Sequence, residues 1–354
     1  MNPDLAIAIC THNPQPSLLE RTLNSILSLS VSAGRQFELV LVDNNSHPPL
    51  LDIPQVGTFL NRMPKVRVVV ASRQGIVFAR MAAYQATCAP WILFVDDDNE
   101  LHPDYLQNLF DLIGQNPEIS AWGAGAIQVH FTGSARTTLK LQFGHRTNIN
   151  HTFTSAQDVL APASNNAFAR LKMHFMHALN PALPPGMGLA LQHEAFTAYL
   201  QSIQNRPSFR IGRSANFLGG AEDVQIYLEI LKKGFKIGVS PRLQLNHWIP
   251  PRRTAKNCIQ QTSYASGREM IVTLEESCPE MSAPIINAFL SSRHVLTALT
   301  IAALRDMIEN PGIWARVAQI TGRIEAACQF RSCLPHPLVP FLIKKLELDG
   351  RRPI

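Results

Sequence analysis

The sequence predicts an α/β protein with a largely parallel central sheet, followed by a mainly helical region. Short apolar runs alternate with segments of helical periodicity through the first 250 residues, a pattern typical of parallel sheets flanked by helices. Polar clusters follow three of these runs directly, at 11–13, 43–46 and 96–99. After Pro250 and Pro251 the strand signal ceases. We therefore predict two domains, 1–250 and 251–354.

The individual elements follow from local patterns. Continuous apolar runs suit strands that are covered on both faces, and they predict strands at 5–10, 37–42, 66–71, 91–95, 122–129 and 235–239. Apolar residues at helical spacing predict helices at 18–29, 75–86, 103–114, 190–202 and 224–233, with Gly234 ending the last. The polar segment 132–165 is expected to form loops and a flap. Parallel sheets bind ligands at the carboxyl ends of their strands, which is where the three polar clusters fall.

Composition narrows the function classes. The chain has 354 residues, of which 46% are hydrophobic, and a net charge of +6, which suits a phosphate-bearing substrate or an anionic membrane surface. The Lys and Arg residues are scattered without interleaved aromatic residues, so no nucleic-acid partner is expected. Six cysteines without C-x-x-C spacing and an N-terminus without a basic signal region predict reduced thiols in a cytoplasmic protein. Arg293 and His294 interrupt the most apolar late segment, which argues against a membrane span.

The most informative segment is Ile-Leu-Phe-Val-Asp-Asp-Asp-Asn at 92–99. Four apolar residues lead directly into Asp96, Asp97 and Asp98, and unpaired carboxylates are costly to bury. A divalent cation would resolve this conflict, because Mg²⁺ binds through one or two carboxylates together with substrate phosphates. The triplet indicates a metal–phosphate site, and the alternative is a solvated acidic turn or a helix N-cap.

Two later segments contain further candidates, each with an ordinary structural alternative. Asp223, in Gly-Gly-Ala-Glu-Asp at 219–223, is either a general base within reach of a hydroxyl proton or an acidic residue stabilised in the first turn of a helix. His247, after an apolar strand, is either a metal ligand or a structural residue. Arg252 and Arg253 form either a phosphate clamp or a solvated basic patch.

A basic segment surrounds the start of the helix predicted at 75–86. Gly75 would bring backbone N–H groups close to a phosphate, and Arg73 and Arg80 add positive charge. The spacing matches neither a Walker loop nor the dinucleotide fingerprint. By itself this segment indicates anion binding only weakly.

Six segments, taken in order, resemble the family 2 glycosyltransferases, which have the GT-A type fold with a Rossmann-like sheet. They are Ile-Cys-Thr-His-Asn at 9–13, Leu-Val-Asp-Asn-Asn-Ser at 41–46, Gly75 through Arg80, Phe-Val-Asp-Asp-Asp at 94–98, Gly-Gly-Ala-Glu-Asp at 219–223, and Asn246 with His247. The resemblance covers about residues 4–270. It implies inverting, metal-dependent transfer of a hexosyl-type sugar from a nucleotide-diphosphate sugar to an acceptor hydroxyl, in cell-surface glycan or glycolipid biosynthesis.

The resemblance also implies roles for individual residues. Asp98 and His247 would hold Mn²⁺ or Mg²⁺, and Asp223 would be the catalytic base. The tract 161–170 would face a saccharide or lipid-linked acceptor. The implied donor-binding residues are Thr11 and Asp43 for the nucleotide base, Arg80 for ribose or phosphate, and Asp96 or Asp97 for ribose and metal-bound water. Arg73 is a further donor-binding candidate because of its positive charge.

The sequence departs from the family in two places. Met81-Ala82-Ala83 stands where the family often has Asn after the Arg, and the Q-x-x-R-W motif of processive members has no match. The missing motif predicts transfer of a single sugar rather than polymerisation. Two rival function classes are an inactive sugar-nucleotide-binding protein of the same fold and a nucleotidyltransferase. The latter would need a Gly-rich basic loop that residues 11–18 lack.

The resemblance does not extend to the region 270–354, which has helical stretches and a basic end with Lys344 and Lys345. One interpretation is a surface that contacts the inner face of a membrane, because basic amphipathic helices favour anionic lipid. The other is a helical appendage that forms a homodimer or covers the catalytic domain.

Overall fold

The structure is a computed structural model that describes residues 3–63, 65–160, 179–206 and 217–350. Within these ranges nine strands form one sheet in the order β3-β2-β1-β4-β8-β6-β9-β5, with β7 also paired to β9. The strands are β1 Leu5–Thr11, β2 Phe37–Asp43, β3 Val66–Val70, β4 Trp91–Asp96, β5 Asn99–Leu101, β6 Ile119–Phe131, β7 His151–Phe153, β8 Leu189–Gln192 and β9 Lys236–Ile249.

The first four strands of the sheet order pair in parallel. β8 is antiparallel to both β4 and β6, β6 is parallel to β9, and β5 and β7 are antiparallel to β9. The parallel half therefore gathers the carboxyl ends of β1, β2 and β4 at one edge. The later strands extend this edge with residues from distant parts of the chain.

Thirteen helices are described in the same ranges, together with two 3₁₀ turns at Leu50–Asp52 and Thr137–Phe143. Five of them lie before residue 161, and the last six form the C-terminal region. They are α1 Pro16–Leu27, α2 Pro54–Arg62, α3 Ile76–Gln85, α4 Tyr105–Gln115, α5 Ala156–Leu160, α6 His193–Ile203, α7 Glu222–Lys232, α8 Pro251–Thr254, α9 Lys256–Ser277, α10 Pro279–Leu290, α11 Ser292–Glu309, α12 Ala315–Phe330 and α13 Leu338–Lys345.

The sheet is covered on both faces because its strands send alternate side chains to opposite sides. In β1, Ile7 and Ile9 belong to one hydrophobic cluster, whereas Ala8 belongs to the other. The cluster around Ala8 continues into the C-terminal helices through residues such as Leu274 and Ile320. The region after 250 thus shares a core with the sheet, and its status as a separate domain stays a prediction.

The structure confirms the predicted α/β class, the parallel strands and the helical C-terminal region. The helix predicted at 190–202 begins later, at His193, because 189–192 form β8 between β4 and β6. The strands β5 and β7 and the helix α2 were not predicted. The first two are only three residues long, too short to show a period. No single described helix is long and apolar enough to cross a membrane, although α10 and α11, which meet at 90°, satisfy the length and composition test as a bent pair.

Candidate active site

The carboxyl ends of β1, β2 and β4 bring the first polar clusters together. Thr11 is the register partner of Asp43, and Cys10 is the register partner of Asp96. The Thr11 hydroxyl donates a hydrogen bond to Asp97. Burial, reinforced by the charge of neighbouring Asp98, raises the pKa of Asp97 to about 7. The edge of the sheet therefore concentrates negative charge and favours a cationic partner.

Asp43 shapes the loop that follows β2. Its Oδ1 accepts the Ser46 N–H and its Oδ2 accepts the Leu50 N–H, each at 2.8 Å. The side chain is buried, and both oxygens already serve the backbone. Asp43 thus fixes the wall of the site, and its predicted contact with the nucleotide base stays a prediction.

Asn44 joins this loop to the start of α3. Its amide nitrogen donates to the carbonyl oxygens of Ala71 and Arg73, and its Oδ1 accepts the Gly75 N–H at 2.8 Å. Gly75 has a φ of 140°, a conformation that only glycine adopts readily. The Arg73 guanidinium lies 3.9 Å from the centre of the Phe78 ring on an exposed surface. The loop before α3 is therefore held open toward the site by side-chain hydrogen bonds.

Arg80 is the buried cation of the site. It is 3% exposed, its guanidinium lies 5.3 Å from the centre of the Phe94 ring, and its Nη1 has no hydrogen-bond partner among the described residues. Burial lowers the pKa of Arg80, but the charges of Glu222, Asp96 and Asp223 outweigh burial and raise it overall. A buried, charged donor with an open N–H is suited to an anionic ligand.

Asp223 lies in the first turn of α7, near enough to Arg80 for its charge to raise the pKa of Arg80. Its Oδ2 accepts the Gly186 N–H at 3.0 Å and its Oδ1 accepts the Val224 N–H at 2.8 Å. Burial raises the pKa of Asp223, and the charge of Arg80 opposes the rise. A carboxylate with a raised pKa is a better proton acceptor, so the environment suits the predicted base.

Gly186 is a site residue that the sequence reasoning missed. A Cβ atom at this position would lie 2.9 Å from Arg80 Nη2 and 3.2 Å from Asp223 Cβ. Any side chain would therefore disturb the pair. The available signal was the Pro-Pro-Gly-Met-Gly sequence at 184–188, which marks a turn but does not reveal what the turn contacts.

Asp98 and His247 meet at the far end of the same edge. Asn99 in β5 is the register partner of His247 in β9. His247 Nδ1 lies 2.9 Å from the Phe143 carbonyl oxygen, and its Nε2 lies 3.6 Å from Asp98 Oδ2. Arg253 joins them: its Nη1 lies 2.6 Å from Asp98 Oδ2 and 3.4 Å from His247 Nε2.

The pair of Asp98 and His247 fits a cation that shares its ligands with a substrate. Two ligands that each lie about 2.1 Å from one ion are separated by at most about 4.2 Å, and the observed separation is 3.6 Å. The described part of the chain holds no cluster of three His, Cys, Asp or Glu side chains suited to a metal. When the protein supplies only two ligands, Mg²⁺ typically completes its coordination shell with phosphate oxygens and water. The metal role of these two residues stays a prediction.

The structure thus places Arg80 near Asp96 and Asp223, and it places Asp98 beside His247. The acceptor tract predicted at 161–170, with Asn165 and Asn166 as sugar contacts or turn residues, lies outside the described residues.

Comparisons with known proteins agree with the sequence motifs. Residues 6–172 match the family described as Glycosyl transferase family 2. This span includes Arg80 and the acidic triplet, but it ends before Asp223 and His247. The roles of these two residues therefore depend on the geometry given above.

Curated relatives match shorter parts of the chain. The chain is 27% identical over 141 residues to putative polypeptide N-acetylgalactosaminyltransferase 9 of Drosophila melanogaster, covering 37% of this chain and 21% of that protein. It is 32% identical over 112 residues to polypeptide N-acetylgalactosaminyltransferase 12 of Mus musculus, covering 31% of this chain and 19% of the relative. The chain spans about a fifth of the length of these relatives.

Proposed function

We propose that the protein is an inverting, metal-dependent glycosyltransferase, because residues 6–172 match the family described as Glycosyl transferase family 2. It moves one sugar from a nucleotide-diphosphate sugar to an acceptor hydroxyl. The relatives named above are N-acetylgalactosaminyltransferases, so N-acetylgalactosaminyl donors are the first candidates.

One observation carries this proposal: Arg80 is buried near Asp96 and Asp223, and its Nη1 has no hydrogen-bond partner among the described residues. A sugar diphosphate brings anionic oxygens and an electrophilic carbon in one molecule. Arg80 can donate hydrogen bonds to the anionic oxygens, and Asp223, near Arg80, can accept the proton of the acceptor hydroxyl that attacks the carbon. The geometry supports a site in which the two halves of the reaction are adjacent.

The proposed reaction is a single displacement. The acceptor oxygen attacks the anomeric carbon, Asp223 takes the hydroxyl proton, and the bond from the carbon to the diphosphate oxygen breaks. A single displacement inverts the anomeric configuration. Arg80 donates to the leaving diphosphate, because donors aimed at developing charge usually make the largest catalytic contribution. A divalent cation held by Asp98 and His247 would supply further positive charge for the diphosphate.

The test is a panel of nucleotide-sugars with Mn²⁺ and candidate saccharide acceptors. Release of nucleoside diphosphate together with an inverted glycoside, observed by proton NMR, is expected. Pyrophosphate release would instead indicate a nucleotidyltransferase, and binding without turnover would indicate an inactive sugar-nucleotide-binding protein. Either outcome would refute the proposal.

Asp223→Asn gives the sharpest single-residue test. General-base catalysis contributes about 100- to 10,000-fold, so kcat should fall by about that factor while donor affinity is retained. Transfer at the wild-type rate would remove Asp223 from the mechanism.

We also propose a cytoplasmic location with peripheral contact at the inner face of the membrane, where a lipid-linked acceptor would lie. In α13, Leu338 and Phe341 are exposed close to Lys344 and Lys345, and exposed apolar side chains beside cations favour anionic lipid. Co-sedimentation with anionic but not neutral vesicles is expected, and Phe341→Glu should weaken it. A homodimer that covers this surface would appear in sedimentation velocity and would leave the vesicles unbound.

A further inference from the structure

Arg253 occupies the space between the two predicted metal ligands. Its Nη1 contacts Asp98 Oδ2 at 2.6 Å and approaches His247 Nε2 at 3.4 Å. The side chains of Asp98 and His247 are 11% and 3% exposed, and that of Arg253 is 21% exposed. The guanidinium is thus the positive charge that accompanies this nearly buried pair.

The orientation of His247 explains why a positive charge is needed there. The Phe143 carbonyl can only accept, so Nδ1 carries a proton and donates to it. In the neutral imidazole the lone pair of Nε2 then faces Asp98 Oδ2 at 3.6 Å. Two electron-rich atoms this close repel each other unless a donor or a cation lies between them. An N–H of Arg253 meets this need, and so would a divalent ion.

The local structure lets Arg253 leave. It belongs to α8, a helix of four residues between β9 and α9. Pro250 and Ala255, on either side, have extended backbone conformations. The guanidinium lies at the end of a long flexible side chain, 5.6 Å from the centre of the Phe143 ring. It can therefore exchange Asp98 for another anion without unfolding the sheet.

We propose that Arg253 competes with the divalent cation for Asp98 and His247, and that a diphosphate relieves this competition by drawing the guanidinium onto its own oxygens. The cation alone then binds weakly, and cation and diphosphate each favour the binding of the other. The inference rests on the proposed function in one respect, that the natural ligand is a nucleotide diphosphate. Arg253 is in this view a positioning residue that couples the two ligands.

The test measures Mn²⁺ binding without any nucleotide, from the free-ion signal in electron paramagnetic resonance at fixed ionic strength. Arg253→Gln should bind Mn²⁺ at least tenfold more tightly than the wild type. Arg253→Lys, which keeps the charge but loses the planar fork, should fall between them. Arg252→Gln is the matched control, because it removes the same charge from an exposed neighbouring position, and it should bind Mn²⁺ as the wild type does.

A second measurement uses calorimetry to determine how tightly each variant binds inorganic pyrophosphate in the absence of metal. Arg253→Gln should weaken this binding several-fold, while Arg252→Gln should change it less. Thermal unfolding of each variant checks that the fold is intact, and Arg253→Lys provides the readout if the Gln variant is unstable.

The outcomes separate this inference from the proposed function. Equal Mn²⁺ affinity in Arg253→Gln and wild type, or equal tightening in both Gln variants, would overturn the competition. No Mn²⁺ binding to any variant would overturn both the competition and the metal site. Tighter Mn²⁺ binding in Arg253→Gln by a protein that transfers no sugar would support the competition and refute the proposed function.

Discussion

Replacing Gly186 by Ala tests whether the positions of Arg80 and Asp223 matter for catalysis. The added Cβ would lie 2.9 Å from Arg80 Nη2, whereas ordinary contacts begin near 3.4 Å. The guanidinium must therefore retreat by about 0.5 Å, the difference between these two distances. Asp223 must move as well, because its Cβ would lie 3.2 Å from the new atom.

This displacement gives the expected magnitude. Moving a catalytic group by about 1 Å can cost about 100-fold in rate. Half that movement predicts a kcat about tenfold lower, which corresponds to about 1.4 kcal/mol in the activation free energy. The structure gives Gly186 no positive φ, so the backbone itself tolerates Ala and the fold should survive.

The assay is steady-state sugar transfer with thermal unfolding measured alongside. Gly114→Ala is the matched control, because a Cβ there meets no atom within 4 Å and the position lies inside α4. This control should keep its kcat and gain up to about 1 kcal/mol of stability. If Gly186→Ala also kept the wild-type kcat, the positions that Arg80 and Asp223 take beside Gly186 would have no catalytic importance.

Three further predictions concern acidity and stability. The proposed base, Asp223, must be ionised to accept a proton. Burial raises its pKa above the ordinary 3.8, although the charge of Arg80 opposes the rise. As the pH is lowered, kcat should therefore begin to fall while the pH is still above 3.8, and Asp223→Asn should abolish this decline. Asp306 is fully buried, accepts two backbone N–H groups at the start of α12 and pairs with Arg316; Asp306→Ala should lower the free energy of unfolding by about 2–3 kcal/mol, measured with urea. Asn44→Ala removes three hydrogen bonds that hold the loop before α3; it should cost about 2–3 kcal/mol in the same measurement and weaken donor binding.

The parts of the fold that could be predicted are those with a local cause. A run such as 91–95 is apolar because β4 is buried on both faces, and the carboxylates that follow it mark the strand end. Parallel pairing then places Thr11 beside Asp43 and the acidic triplet without any further information. This half of the site can be predicted because short-range pattern and sheet topology agree.

The other half depends on contacts between distant segments. The pairing of Asn99 with His247 joins residues far apart in the chain, and no local pattern fixes which strand lies beside β5. The same is true of Gly186, whose N–H reaches Asp223. For Arg253 the sequence left two alternatives, a phosphate clamp and a solvated patch; the structure shows it paired with Asp98, and the clamp stays a prediction.

The C-terminal helices contribute to the site through the loop before α7. The Leu218 N–H donates to the Gly350 carbonyl oxygen at 2.9 Å, so the end of the described chain holds one side of this loop. On the other side a Cβ at Gly219 would overlap the carboxylate of Glu269 in α9. The loop that leads to Asp223 is therefore enclosed by the region after 250. The matched family span ends at 172, so Asp223 and the loop before it come from a later part of the chain than the acidic triplet, and the region after 250 packs against that loop.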